Sequence, residues 1–428
     1  MFRKTGVLLW VLVFSLVVFA SCAGAVTIKW LHYNDITAPG AEVDVDIIQT
    51  FAQLNPDIKL EIEILYDEAY HQKLAALAAA GQLPDVMYLW PAERTGKITR
   101  SGLIADLYPF LGDDIDNYVP AAVAPQLLGR LHELPMFSGT ASHMLYVNTE
   151  LLDGLGLAMP QTYKELKAMV PAIRGAGLEA IAIPAKPTWV MQSCLLSAIV
   201  GRTAGDEWLM KAVKGEASFT DEGFVRALEI VEEMYATGLI LESNVLLGYG
   251  DGPNVFSEDK AVFYIDGDWR VSAFSAVPDG LMTPEKQEKI TLTVLPDFAG
   301  QVGPSGSTSF VASTGLGMKA GLSQEKAEAA WKLISFYVGP IAANKRLLGG
   351  SLKPPSWTNL DISDVEMGPM DRKLFDFYPL HPPTLILDAV IPADGVQRIN
   401  TGLQELALGD ITPEKLAAQI EAAVASVR

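Results

Sequence analysis

Between Thr27 and Arg100 the chain switches back and forth between two periodicities, and this limits the fold more than any other feature. Ile58, Leu60, Ile62 and Ile64 alternate with Lys59, Glu61 and Glu63, the period of two expected of a half-exposed strand. Thr27 to Leu31 and Val86 to Leu89 read as further strands. Glu42 to Leu54, closed by Asn55-Pro56, and Glu68 to Ala80, ended by Gly81, read as helices, with a shorter one from Ala92 to Arg100 before Gly102. A β-α-β-α order predicts an α/β fold, a parallel sheet covered by helices. In such sheets ligands bind beyond the carboxyl ends of strands. Here those ends carry Tyr33, Asn34 and Asp35 after the first strand, and Trp90, Glu93 and Arg94 after the third.

A second α/β region begins near Thr140. Met144 to Asn148 and Ala180 to Ile183 are strands, Thr162 to Glu165 has capping-box spacing, and Pro187-Thr188-Trp189 leads into a helix. Thr220 caps a long helix to Ala236, and Thr291 to Leu295 is another strand. Before that comes a short buried strand, Ala261 to Ile265, stopped at Asp266-Gly267-Asp268, where Gly267 is expected to take a backbone conformation other residues avoid. The turn delivers Asp268, Trp269 and Arg270 side by side. A carboxylate, an indole and a guanidinium together suit a polar ligand with flat apolar faces, such as a sugar. The plainer alternative makes Trp269 a core aromatic and the charges solvated turn residues. Beyond Gly303 to Gly317 the chain turns helical: Glu325 to Val338 sets Ala327, Trp331, Ile334 and Val338 on one stripe, which predicts a core Trp331. Gly349 to Pro383 is Pro-rich and irregular, and Thr412-Pro413-Glu414 opens a final amphipathic helix.

Residues 1–25 have the form of a secretory signal, with Arg3 and Lys4 ahead of an apolar run from Val7 to Ala20. Two processing routes fit: Phe19-Ala20-Ser21-Cys22 resembles a lipobox, which would lipidate Cys22, and Ala23-Gly24-Ala25 suits ordinary cleavage before Val26. The run is short for a bilayer span and nothing later matches it, so a soluble mature chain is expected. Cys194 is the other cysteine and sits in an apolar run, which rules out a disulfide framework and leaves a large core to hold the fold. Net charge is −19, or −21 once Arg3 and Lys4 leave with the signal, a surface that repels nucleic acid and anionic lipid.

The five histidines, His32, His71, His132, His143 and His381, show no metal-ligand spacing. Nucleophile-elbow, dinucleotide and Walker sequences are also missing, so neither a metal nor another cofactor is expected. Asp266 and Asp268 are too ordinary a pair to argue for glycoside hydrolysis. Binding is favoured over catalysis.

Several segments together resemble the extracytoplasmic solute-binding proteins of ABC importers, in the large sugar-binding family that includes maltose-binding protein. They are His71-Gln-Lys-Leu74, Ala78 to Val86, Ser101 to Leu107, Glu133-Leu-Pro135, Leu145 to Asn148, Pro160 to Tyr163, Lys260 to Trp269, Gly315 to Lys319, Ala330 to Phe336 and Leu406 to Pro413. The resemblance implies a two-lobed periplasmic-binding-protein-like (type II) fold with three hinge crossings, placed by similarity near Met136–Ala141, Val294–Phe298 and Thr314–Lys319. The lobes would then be 26–137 with 296–316, and 138–295 with 317–428. It implies a monomer that closes on a carbohydrate, partnered by permease subunits in the membrane. Carried over residue by residue, Trp269, Trp90 and Trp189 become sugar platforms, with Glu93, Arg94, Asn34 and Asp35 as hydrogen-bonding partners, beside Tyr33 and Asp268. Ser138-Gly-Thr140 stands where some relatives place a carboxylate, which leaves the sugar open. Two other readings stay open, a binder of a polyamine or polyol phosphate and an extracytoplasmic carbohydrate-active enzyme.

Overall fold

The computed structural model describes residues 25–34, 41–90, 92–275, 280–311, 314–349, 353–358, 360–363 and 365–427. Cys22 and Asp35 lie outside them. The strands are, in chain order, β1 (Val26–Tyr33), β2 (Ile58–Leu65), β3 (Val86–Leu89), β4 (Leu134–Pro135), β5 (Thr140–Ala141) and β6 (Met144–Asn148). They continue with β7 (Glu179–Ala182), β8 (Ala261–Asp266), β9 (Ile290–Thr293), β10 (Thr308–Val311), β11 (Gly315–Met318) and β12 (Pro383–Leu385).

One sheet runs β2-β1-β3-β11-β4, parallel through β2, β1 and β3 and antiparallel where β11 returns beside β3. Its core joins Ile28, Trp30 and Leu31 of β1 to Ile47, Ile48 and Phe51 of the helix Ala41–Leu54. A second sheet, β7-β8-β6-β9, carries apolar layers on both faces, so every residue of β6 and β8 is buried. Strands buried on both faces read as continuous apolar runs, as Ala261-Val-Phe-Tyr-Ile265 does. A small third sheet, β12-β10-β5, flanks the second lobe.

The expected lobe boundaries are corrected at two places. Stretch 296–316 does not belong with the first sheet up to its end: β10 pairs with β5 and β12, and Phe298 packs in the second core against Tyr163. Arg202, fully buried in the second lobe, holds this stretch by donating to the carbonyls of Leu295, Pro296 and Ser307. Val294–Phe298 is therefore no crossing. The helices Gln324–Val338 and Pro340–Leu348, assigned by sequence to the second lobe, lie instead on the first, with Leu333, Ile334, Tyr337 and Val338 buried against β1 and β4. An amphipathic stripe buries one face whichever sheet receives it.

The chain thus crosses between β4 and β5, between β10 and β11, and between the helices Pro340–Leu348 and Pro369–Leu380. The crossings are bonded to one another: Met136 N donates to Thr314 O (3.2 Å), Ser356 N to Met136 O (3.1 Å), and Ser138 N to Pro354 O (2.8 Å). Smaller departures have local causes. The long helix begins at Glu222, with Asp221 and not Thr220 at its cap position, although the Asp221 carboxylate accepts from Ser218 N and Trp208 Nε1 and not from the helix amides. Trp331 is half-buried on the rim of the first core, beside Phe110. The capping box at Thr162 and the cap at Thr412 form as expected.

Candidate ligand-binding site

A cavity of about 700 Å³ lies between the lobes. Tyr33, Asn34, Trp90, Glu93, Arg94, Trp189 and Trp269, all singled out from sequence, line it together. Asn34 and Tyr33 are the residues at the carboxyl end of β1, and Trp90 follows β3 directly, so the first lobe presents two strand ends to the space. Tyr33 stands edge-on to Trp90 at 4.9 Å between ring centroids, and Tyr88 and His71 close round the same indole at 5.1 and 4.4 Å. Trp90 is 8% exposed, an anchor held by aromatic neighbours and not a free paddle. Burial, then the nearby Arg94 charge, pushes the His71 imidazole down to about 4, so it faces the cavity neutral at pH 7.

The second lobe contributes an opposing indole pair. Trp189 enters its helix at Thr188–Val190, and its ring lies 6.0 Å from Trp269 and 5.1 Å from Tyr249. The turn after β8 works differently from expectation. Gly267 has an extended backbone (φ −88, ψ 178), one that any residue can adopt. What it supplies is space: a Cβ there would lie 2.3 Å from the Trp269 ring, which folds back over the glycine. Asp266, wholly buried, fixes this arrangement by accepting from Gly267 N (2.8 Å), Trp269 Nε1 (2.9 Å), Tyr264 OH (2.8 Å) and Arg270 Nε (2.8 Å). Four charge-assisted bonds on one carboxylate set the indole rotamer before any ligand arrives.

Asp268 is corrected. It does not line the cavity; it is 1% exposed, and its Oδ2 accepts from Ala141 N and Tyr378 OH, both at 2.8 Å. Its carboxylate bonds instead beside β5, where the chain enters the second lobe.

Polar groups that sequence reasoning missed complete the walls. Asp388, on the short helix Leu387–Val390, receives Arg94 Nε at 3.1 Å from the other lobe and Ser193 Oγ at 3.2 Å. Ser193 sits in a π-helical turn, Met191–Leu196, a local widening often found at functional sites. At the first-lobe end, Asp44 accepts from His32, Tyr337 and Asn34. Burial raises the Asp44 carboxyl, but His32, Tyr337 and Arg346 together hold it below the usual carboxylate range. Lys353 and Tyr249 also reach the space. Asp388 and Lys353 carried no pattern that could have flagged them: one follows the irregular stretch 349–383 and the other lies inside it.

The arrangement offers apolar ring faces on both sides and charged pairs between them, with donors and acceptors already oriented. That suits reversible capture of a polar, flat-faced molecule. Among the described residues no group of His, Cys, Asp and Glu is placed to hold a metal ion, and no helix is long and apolar enough to cross a membrane.

Comparison with known proteins bears on the family. No curated protein matches the chain. Among solved structures, one from xylan utilization by the thermophilic bacterium Caldanaerobius polysaccharolyticus is 22% identical, covering 94% of this chain and 100% of that one at a TM-score of 0.81. A chitin oligosaccharide binding protein is 21% identical over 93% of this chain and 98% of its own, also at 0.81. Maltose-bound MalE3 of T. maritima is 20% identical over 94% and 100%, at 0.74. These likenesses give the fold. The sequence model for the bacterial extracellular solute-binding proteins matches residues 46–364, most of the chain. The chain belongs to the bacterial extracellular solute-binding proteins.

Proposed function

We propose that the protein captures a sugar or oligosaccharide between its lobes, outside the cytoplasm, and delivers it to the permease subunits of an ABC importer. The observation that carries this reading is the opposition of Trp189 and Trp269 on one lobe to Trp90 and Tyr33 on the other across a single cavity. A pyranose has apolar C–H faces and a rim of hydroxyls. Indoles cover the faces with large buried area and little loss of conformational freedom. Arg94, Asp388, Glu93 and Asn34 can pair the rim, which costs free energy if left unsatisfied. The sugar names carried by the chitin and maltose neighbours support the same class.

A cationic ligand such as a polyamine is the weaker reading. It needs unpaired carboxylates, and those in the cavity already have protein partners: Glu93 has Arg100, Asp388 has Arg94, and Asp44 has His32 and Tyr337. Catalysis is weaker still, since the family binds solutes without transforming them. We further propose that the signal in residues 1–25 directs export and that Cys22 is lipidated there.

A thermal-shift screen over mono- and oligosaccharides, polyamines and polyol phosphates tests the reading, because a ligand bound only by the folded state raises the midpoint. A glycan should raise it. Stabilisation by polyamines alone, or by no glycan, would overturn the assignment.

A further inference from the structure

Asp268 stands one residue before the Trp269 platform yet faces away from the cavity, into the hinge. Its Oδ2 takes the backbone N–H of Ala141, on β5, where the first crossing enters the second lobe. Its Oδ1 faces Lys353 Nζ at 3.3 Å, and Lys353 belongs to the third crossing. The two crossings also run bonded side by side, Phe137 bridging Pro355. Lys353 completes the connection: its Nζ lies 5.2 Å from the Phe137 ring centroid and 5.9 Å from that of Trp269, and it reaches the cavity wall. One carboxylate, 1% exposed, therefore ties two hinge crossings to the residue that carries a ligand platform.

A hinge turns by changing backbone angles over a few residues, and a bond between two crossings must shift or break when it does. The Lys353–Asp268 pair is poorly hydrated, with side chains 16% and 0% exposed, so it resists separation more than a surface pair would. A ring stacked on Trp269 would also meet Lys353. We propose that Asp268 and Lys353 are positioning residues that hold the hinge in its lobe-closed angle and couple occupancy of the Trp269 face to closure. This rests on the hinged-capture reading above but not on which ligand is captured.

The test needs no ligand. In the mature chain carrying Arg94→Cys and Asp388→Cys, the rate at which a short bifunctional thiol reagent joins the two cysteines counts closing events, whether the closed form is common or rare. The buried Cys194 does not compete. Adding Lys353→Met, which keeps length without charge, should slow joining roughly five- to tenfold, the size of a modest population shift. Asp268→Asn should do the same, and the two together no more than either alone. Tyr378→Phe removes Asp268's other side-chain partner, which lies within the second lobe. It should lower the thermal midpoint and leave the joining rate unchanged. A rate within twofold of the parent for Lys353→Met, or an equal slowing by Tyr378→Phe, overturns the proposal. A failed glycan screen with slowed joining would count against the ligand class alone.

Discussion

Arg94 of the first lobe and Asp388 of the second meet across the cavity, Nε to Oδ2 at 3.1 Å, with the aspartate only 3% exposed. Arg94 also lies over the Trp90 ring at 5.7 Å, so one guanidinium links the first lobe's anchor to the opposing wall. Under the proposed capture, this pair favours the closed form and shares its charges with the hydroxyls of the sugar. Asp388→Asn should raise the ligand dissociation rate about tenfold while changing the association rate little, because an interaction made only after docking governs release and not encounter. Stopped-flow binding separates the two, and a change confined to association would deny the pair this role.

Trp269 is the platform with the most elaborate support, an indole pinned by Asp266 over a bare glycine. Trp269→Ala should weaken binding by about 2–4 kcal/mol, as loss of a central aromatic anchor does. Gly267→Ala sharpens the point. The backbone tolerates alanine, so the new methyl acts only by pushing the ring off its seat, and binding should fall by about 1–3 kcal/mol. Calorimetry on both variants, beside far-ultraviolet dichroism to confirm folding, decides. Unchanged affinity in Trp269→Ala would return that residue to the core.

The local elements were legible because their signals are local. β2 follows from its apolar alternation, β1 and β3 from short apolar runs and the helices between them from their Asn-Pro and Gly stops, and the strand ends they produce bring Tyr33, Asn34 and Trp90 to one wall. What could not be read was partnership. The stripe on Gln324–Val338 announces a buried face but not the sheet that receives it, and the first sheet does. Gly267 announces a special position, yet sequence does not distinguish a need for positive φ from a need for no Cβ, and the Trp269 ring supplies the second. Asp268 looks like Asp266 in sequence, and only their partners separate them, Ala141 N for the first and Trp269 Nε1 for the second.

Arg202 tests the corrected lobe boundary. It is wholly buried in the second lobe and holds the carbonyls of Leu295, Pro296 and Ser307, in and beside the stretch that family resemblance assigns to the first lobe. Arg202→Met keeps the stem and strips these acceptors of their donor, each then desolvated without a partner. Stability should drop by about 3 kcal/mol or more. Hydrogen exchange should show the loss over 294–308 and the neighbouring strands β10 and β12, with first-lobe amides at parent rates. Loss of protection in β1 and β3 instead would return the stretch to the first lobe.

His71 gives the protein a pH dependence of known sign. Its imidazole packs at a tilt against Trp90, centroids 4.4 Å apart, and burial and Arg94 hold it at about 4, whereas an unfolded histidine titrates near 6.5. Below pH 6.5 the unfolded chain binds a proton that the folded chain refuses. Stability from this group is therefore complete above about pH 6.5, falls as pH drops towards 4, and levels off below, for a total of up to about 3 kcal/mol. His71→Asn removes that slope but not the slopes of other groups, so the stability difference between parent and variant should shift in the variant's favour from pH 7 to pH 4.5. Urea unfolding at four or five pH values measures it. Because the folded ring stays neutral across the same range, ligand affinity should hold level from pH 8 to about pH 5. A binding curve that instead falls through pH 6.5 would mean that His71 meets the ligand in a solvated, freely titrating state, and the tilted packing on Trp90 would not be what the ligand sees.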